Sequence, residues 1–133
     1  MNRLALISGE STMKILPLLL LQIALFVGFG WVQATPELGG SVYSPDKGVI
    51  CDKVSGFCVD QYGISMGFTK EFLGQDAETK LMEKINQAGT EKFDAARYTF
   101  SNSVYCDSEQ RTCFEDYDSD NLASDYIQIL FPE

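Results

Sequence analysis

Val49-Ile50-Cys51-Asp52-Lys53-Val54-Ser55-Gly56-Phe57-Cys58 and, 55 residues further on, Val104-Tyr105-Cys106-Asp107-Ser108-Glu109-Gln110-Arg111-Thr112-Cys113 are the stretches on which the fold reading turns. Each runs Val-x-Cys-Asp, leaves five residues and closes on a second cysteine. The same offset pairs Tyr43 with Tyr98 and Tyr62 with Tyr117. Two cysteine pairs at one spacing with the same flanking residues point to duplication, or to convergence on one unit.

Read locally, the first unit is a strand over 41–44, a turn at Pro45-Asp46-Lys47-Gly48, a return strand over 49–51, a turn in which Gly56 takes positive φ, and a third strand over 57–59. The second repeats this with 98–100, 104–106 and 112–114. Within each unit the four loop residues after the Cys-Asp dipeptide set the cysteines opposite one another on neighbouring strands. Directly opposed Cβ atoms lie ~4.5–5.5 Å apart, close enough for a disulfide. Of the three possible connectivities, this register selects Cys51–Cys58 and Cys106–Cys113.

Helical signals follow each meander. Thr69 is read as the cap of a short turn through Leu73, stopped by Gly74, and Asp76 as the cap of a longer helix to Ala88, closed by Gly89. Ala77, Leu81 and Ile85 recur at four-residue spacing and read as a core stripe. After the second meander, Leu122, Tyr126, Ile129 and Leu130 mark the buried side of a final helix, with Asp118 and Asp120 near its start. The expectation is an α+β fold of two β-β-β-α repeats, 41–89 and 96–131, forming one antiparallel six-stranded sheet with both helices on one face and two local disulfides.

Upstream lies the apolar run 15–31, preceded by Lys14 and followed by Val32-Gln33-Ala34. A positive end, an apolar segment and small residues at −3 and −1 form the layout of a secretory signal, with cleavage between Ala34 and Thr35. The reading is a signal over 1–34 and a single exported domain over 35–133, periplasmic or secreted, without stable membrane insertion after cleavage. An uncleaved anchor is the alternative, since the run reaches the ~17-residue lower limit of a spanning helix. Met13-Lys14 makes a more usual signal start than Met1. No cysteine follows the run closely enough for lipid attachment. All four cysteines fall in the exported part, where an even number reads as disulfides.

Composition removes most chemistries. The 133-residue chain has no histidine, which excludes Ser-His-Asp and Cys-His catalysis and most zinc sites. The six-residue gap between cysteines fits neither a zinc knuckle nor a redox Cys-x-x-Cys pair. No phosphate loop or nucleophile elbow is present. Asp116, Asp118 and Asp120 alternate like the start of a calcium loop, but Asn121 stands at the sixth position and Ile127 at the twelfth, where a bidentate acid is needed. The expectation is no metal, no cofactor and no catalytic residue. Removal of Arg3, Glu10 and Lys14 with the signal takes the formal net charge from −9 to −10. Such a field repels nucleic acid and favours a basic protein as partner. The six tyrosines, scattered among acids, read as strand residues packing across the sheet rather than as a recognition surface.

The blocks 44–52, 56–60, 63–69 and 106–114 resemble the Fels prophage-protein-like family, also called YcgJ-like proteins, over nearly the whole exported part. The resemblance implies a small exported bacterial protein and carries over no activity. The readings of function are a non-catalytic binding module, in one form an inhibitor of a cationic hydrolase; a structural or assembly protein of the envelope or a prophage particle; and, third, an acid-based hydrolase.

Overall fold

Turn chemistry and alternation set the strands locally. The computed structural model describes Gly30 and residues 37–133; the rest of the expected signal and its cleavage point, Ala34 and Thr35, lie outside the described residues. The elements are β1 (Glu37–Gly39), β2 (Val42–Asp46), β3 (Val49–Asp52), β4 (Phe57–Asp60), β5 (Gly63–Ser65), α1 (Met66–Leu73), α2 (Gln75–Ala88), β6 (Arg97–Thr99), β7 (Tyr105–Asp107), β8 (Thr112–Phe114) and α3 (Ser124–Leu130). The class is α+β, as the sequence implies.

The two meanders have the same register at the 55-residue offset. Tyr43 faces Cys51 and Cys51 faces Cys58; Tyr98 faces Cys106 and Cys106 faces Cys113. Both disulfides are local, Cys51–Cys58 and Cys106–Cys113, each with Cα atoms 4.1 Å apart. Positive φ recurs at matching turn positions: Gly56 (77°) with Arg111 (53°), and Gly48 (75°) with Ser103 (78°).

What surrounds the meanders differs between them, and here the structure corrects the expected single sheet. There are two sheets, one of five strands in the order β1-β2-β3-β4-β5 and one of three in the order β6-β7-β8. The reason is edge occupancy. The chain turns back after β4 to add β5, and β1 pairs with β2, so both edges of the first meander are filled before β6 arrives. Two backbone hydrogen bonds then mark the seam and the approach to β6, Ile64 N–H to Ala95 O and Ser108 N–H to Ala96 O, both 2.8 Å.

The main core joins the two sheets. Ile50, Phe57 and Val59 of the first meet Tyr98 and Phe100 of the second, with Phe57 stacked on Phe100 at 5.7 Å and edge-on to Tyr98 at 6.0 Å. Leu81 and Ile85 of α2 and Tyr126 and Leu130 of α3 complete this core, so the two expected helices share it. The expected short turn at 69–73 is a full helix instead, α1, packing Phe68 and Phe72 against Val49, Cys51 and Cys58 in a second cluster. Strand alternation explains the division, since Phe57 and Val59 point one way and Cys58 the other.

Three helix boundaries differ from the reading. Ser65, not Thr69, caps α1, its hydroxyl accepting from the Phe68 N–H at 3.1 Å. Thr69 is fully buried; its hydroxyl donates to Ser65 O at 2.6 Å and accepts from the Cys58 N–H at 2.9 Å, tying α1 to β4. Gly74 occupies the N-cap of α2 and Asp76 lies in its first turn without capping it. Asp118 and Asp120 precede α3, whose first turn holds Asp125, and Leu122 is exposed rather than part of the buried side.

Each bridge closes a loop of sequence separation 7. By loop entropy, replacing Cys106 and Cys113 together by alanine should cost ~2.5 kcal/mol, read as a lower urea midpoint. A loss below ~1 kcal/mol would mean that the buried hairpin holds its register without the bond.

Candidate functional site

The residue after the first cysteine of each pair organises its hairpin. Asp52 Oδ1 accepts from the Val54 N–H (3.0 Å) and the Ser55 N–H (3.2 Å); at the matching positions, Asp107 Oδ1 accepts from the Glu109 N–H (3.0 Å) and the Gln110 N–H (3.1 Å). An aspartate that takes up the loop donors allows the following turn to reach the left-handed region, which is how Arg111 fills the place of Gly56. Sequence reasoning misses these aspartates as site residues. The signal for them is the repeated Cys-Asp dipeptide at the start of a hairpin loop.

Beyond the hairpins the two aspartates diverge. Asp52 also accepts from the Ser41 hydroxyl (2.7 Å), the Ser101 N–H (2.6 Å) and the Ser101 hydroxyl (3.0 Å), which pins the β6–β7 turn to the first sheet. Its side chain has no exposed surface. Burial pushes its pKa up, but the bonds from Ser101, Ser41 and Ser55 outweigh this and hold it at about 2. Asp107 instead accepts from Arg97 Nε at 3.1 Å. The same guanidinium reaches Asp94 at 2.6 Å and Glu109 at 2.7 Å, and these carboxylates, Asp94 first, raise its pKa. Both networks are satisfied internally and present no free reactive group.

The acidic segment after β8 is different. Ala123 N–H donates to Cys113 O and Glu115 N–H to Asn121 O, both at 2.9 Å, so residues 115–121 form a loop closed at its base beside the second disulfide. Asp116, Asp118 and Asp120 belong to this loop, and Asp116 Oδ1 accepts from the Asp118 N–H at 3.4 Å. Among the described residues no three acids, cysteines or histidines converge to hold a metal ion. Tyr117 and Leu122 are exposed, at 68% and 55%.

Next to this loop lies an open depression of about 370 Å³, lined by Val104, Leu122, Ala123 and Tyr126 and by the polar residues Glu115, Ser124 and Asp125. Tyr126 is held in place by Asn102 Nδ2, which donates to its hydroxyl at 2.7 Å; burial raises the pKa of that hydroxyl. Among the described residues the ion pairs are Lys70 with Glu78 and Arg97 with its three acids, none of them involving Glu115 or Asp125. Nothing in the sequence marks this depression, since its lining comes from separate stretches.

The tyrosines divide. Tyr98 and Tyr126 are buried, Tyr43 and Tyr105 are half-buried, and Tyr62 and Tyr117 are exposed. Strand or core packing accounts for the first four, and Tyr105 meets Tyr117 edge-on at 5.0 Å.

A family model described as YcgJ protein matches residues 42–131, which include both hairpins, both disulfides and all residues lining the depression. The chain belongs to the YcgJ family. An Escherichia coli (strain K12) member described as "Uncharacterized protein YcgJ" is 34% identical over 77 residues, covering 58% of this chain and 57% of that protein's own length. No solved structure matches the chain. The two disulfides are the covalent frame of this family member, and among the described residues no helix is long and apolar enough to cross a membrane.

Proposed function

We propose that the chain is an exported, non-catalytic binding module whose natural partner is a basic protein, with a cationic hydrolase as the leading kind. The observation that carries this is the charge of residues 35–133, a formal −10, with carboxylates that no basic side chain neutralises among the described residues beside exposed Tyr117 and Leu122. Export is supported by the signal-like segment at 1–34 and by the two disulfides, which persist in oxidising compartments. A non-catalytic role is supported by the absence of histidine and by the internal satisfaction of the Asp52 and Arg97 networks.

A field of this size acts mainly on the rate of encounter. Association with lysozyme as cationic probe, followed by surface plasmon resonance, should therefore slow as salt rises, because the screening length falls from ~10 Å at 0.1 M to ~3 Å at 1 M. An association rate indifferent to salt would mean that the charge serves solubility alone. The rival reading, a structural or assembly part of the envelope or a prophage particle, would then stand.

A further inference from the structure

We propose that the docking surface is the depression between the closed 115–121 loop and the start of α3, and that its occupant is an arginine side chain presented by a basic protein. This rests on the binding-module reading and assigns it a place on the molecule. The lining fits such a side chain in two ways. Exposed Leu122, seated over buried Val104 and Ala123, offers apolar surface to an aliphatic stem, while the exposed acids Glu115 and Asp125 supply negative charge for a guanidinium. At about 370 Å³ the depression falls at the small end of the ~300–1,000 Å³ range of ligand pockets, the scale of one side chain and its neighbours rather than of a large cofactor.

Three features favour this surface over the other acidic stretches. Its carboxylates are free of internal cations among the described residues, whereas Asp94, Asp107 and Glu109 are engaged by Arg97. Its apolar lining includes Leu122, which is 55% exposed although large and aliphatic. Its frame is firm, because the loop base is closed by two backbone hydrogen bonds next to a disulfide, so little ordering entropy is lost on binding.

The experiment is an NMR titration of the purified exported protein with an oligoarginine peptide, together with two isosteric double variants of equal charge change. Glu115→Gln with Asp125→Asn empties the depression of charge; Asp76→Asn with Glu83→Gln removes two exposed acids of α2 instead. Shifts should concentrate at residues 104, 115 and 122–126. The first pair should weaken binding about tenfold and the second no more than about twofold, and Leu122→Ala should weaken it roughly threefold at unchanged charge. Equal weakening by both pairs, or shifts spread over all acidic segments, would overturn the docking surface while leaving the basic-partner reading standing on its salt dependence. Absence of any oligoarginine binding would overturn it as well, and the lysozyme measurement would then decide the broader reading by itself.

Discussion

Replacing Gly63 by alanine is expected to lower the unfolding free energy by about 3–5 kcal/mol, more than the loss of either disulfide. Gly63 opens β5 with φ at 120°, a conformation that side chains rarely adopt. A Cβ there would lie 2.1 Å from the carbonyl oxygen of Ala95 and 2.7 Å from its carbon. Those atoms are backbone and cannot rotate away. The Ala95 carbonyl is also the acceptor of the Ile64 N–H at the seam between the sheets, so relieving the clash means opening that bond. Gly40 provides the control. Its φ is 63° and a methyl group added there would meet nothing within 4 Å, so that only a backbone cost of ~1 kcal/mol remains. Urea midpoints for the two alanine variants separate the contributions. Equal losses would show that the close approach at Ala95 relaxes without cost.

Asp52→Ala is expected to cost about 3 kcal/mol, because the N–H groups of Val54, Ser55 and Ser101 lose one shared acceptor and the β6–β7 turn loses its tie to the first sheet. Asp52→Asn should cost nearly as much, since its amide would face donors. The carboxylate also gives a pH signature. Its folded pKa of about 2 lies below its ordinary 3.8, so the folded state favours the charged form. The stability it supplies is therefore complete above the unfolded value and is lost as pH falls through 3.8 toward 2. With no solvent exposure to screen the carboxylate, the linkage amounts to ~2–2.5 kcal/mol. The difference in stability between the wild type and Asp52→Asn should shrink by that amount between about pH 5 and pH 2. A difference that stays constant over this range would show that Asp52 contributes by shape rather than by charge.

Both positions show how far local sequence carries. The Cys-Asp dipeptides are visible in the chain, and the role of each aspartate within its own hairpin follows from turn chemistry. Nothing local distinguishes Asp52 from Asp107, yet one is tied to Ser101, 49 residues away, and the other, also buried, holds the exposed Arg97. Likewise nothing local marks Gly63 as constrained, and the reason for glycine there appears only when Ala95 is brought against it. The depression at Glu115 and Asp125 is hidden for the same reason, since it needs Val104 from the second meander beside the start of α3.

By itself the sequence determined what acts over a few residues: the hairpin registers, the local pairing of Cys51 with Cys58 and Cys106 with Cys113, the end of α2 at Gly89 and the Leu81–Ile85 face that packs into the core. Loop length, turn donors and side-chain period carry that information within a short stretch of chain, and it survives whatever surrounds it. Only the tertiary structure decided that β1 and β5 fill the edges and split the strands into two sheets, that α1 covers the first disulfide while the second lies in the main core, and that the acids after β8 form a closed loop ahead of α3 rather than its first turn. Those outcomes depend on competition between distant segments for one edge or one apolar face, and a competition of that kind leaves no trace in the spacing of neighbouring residues.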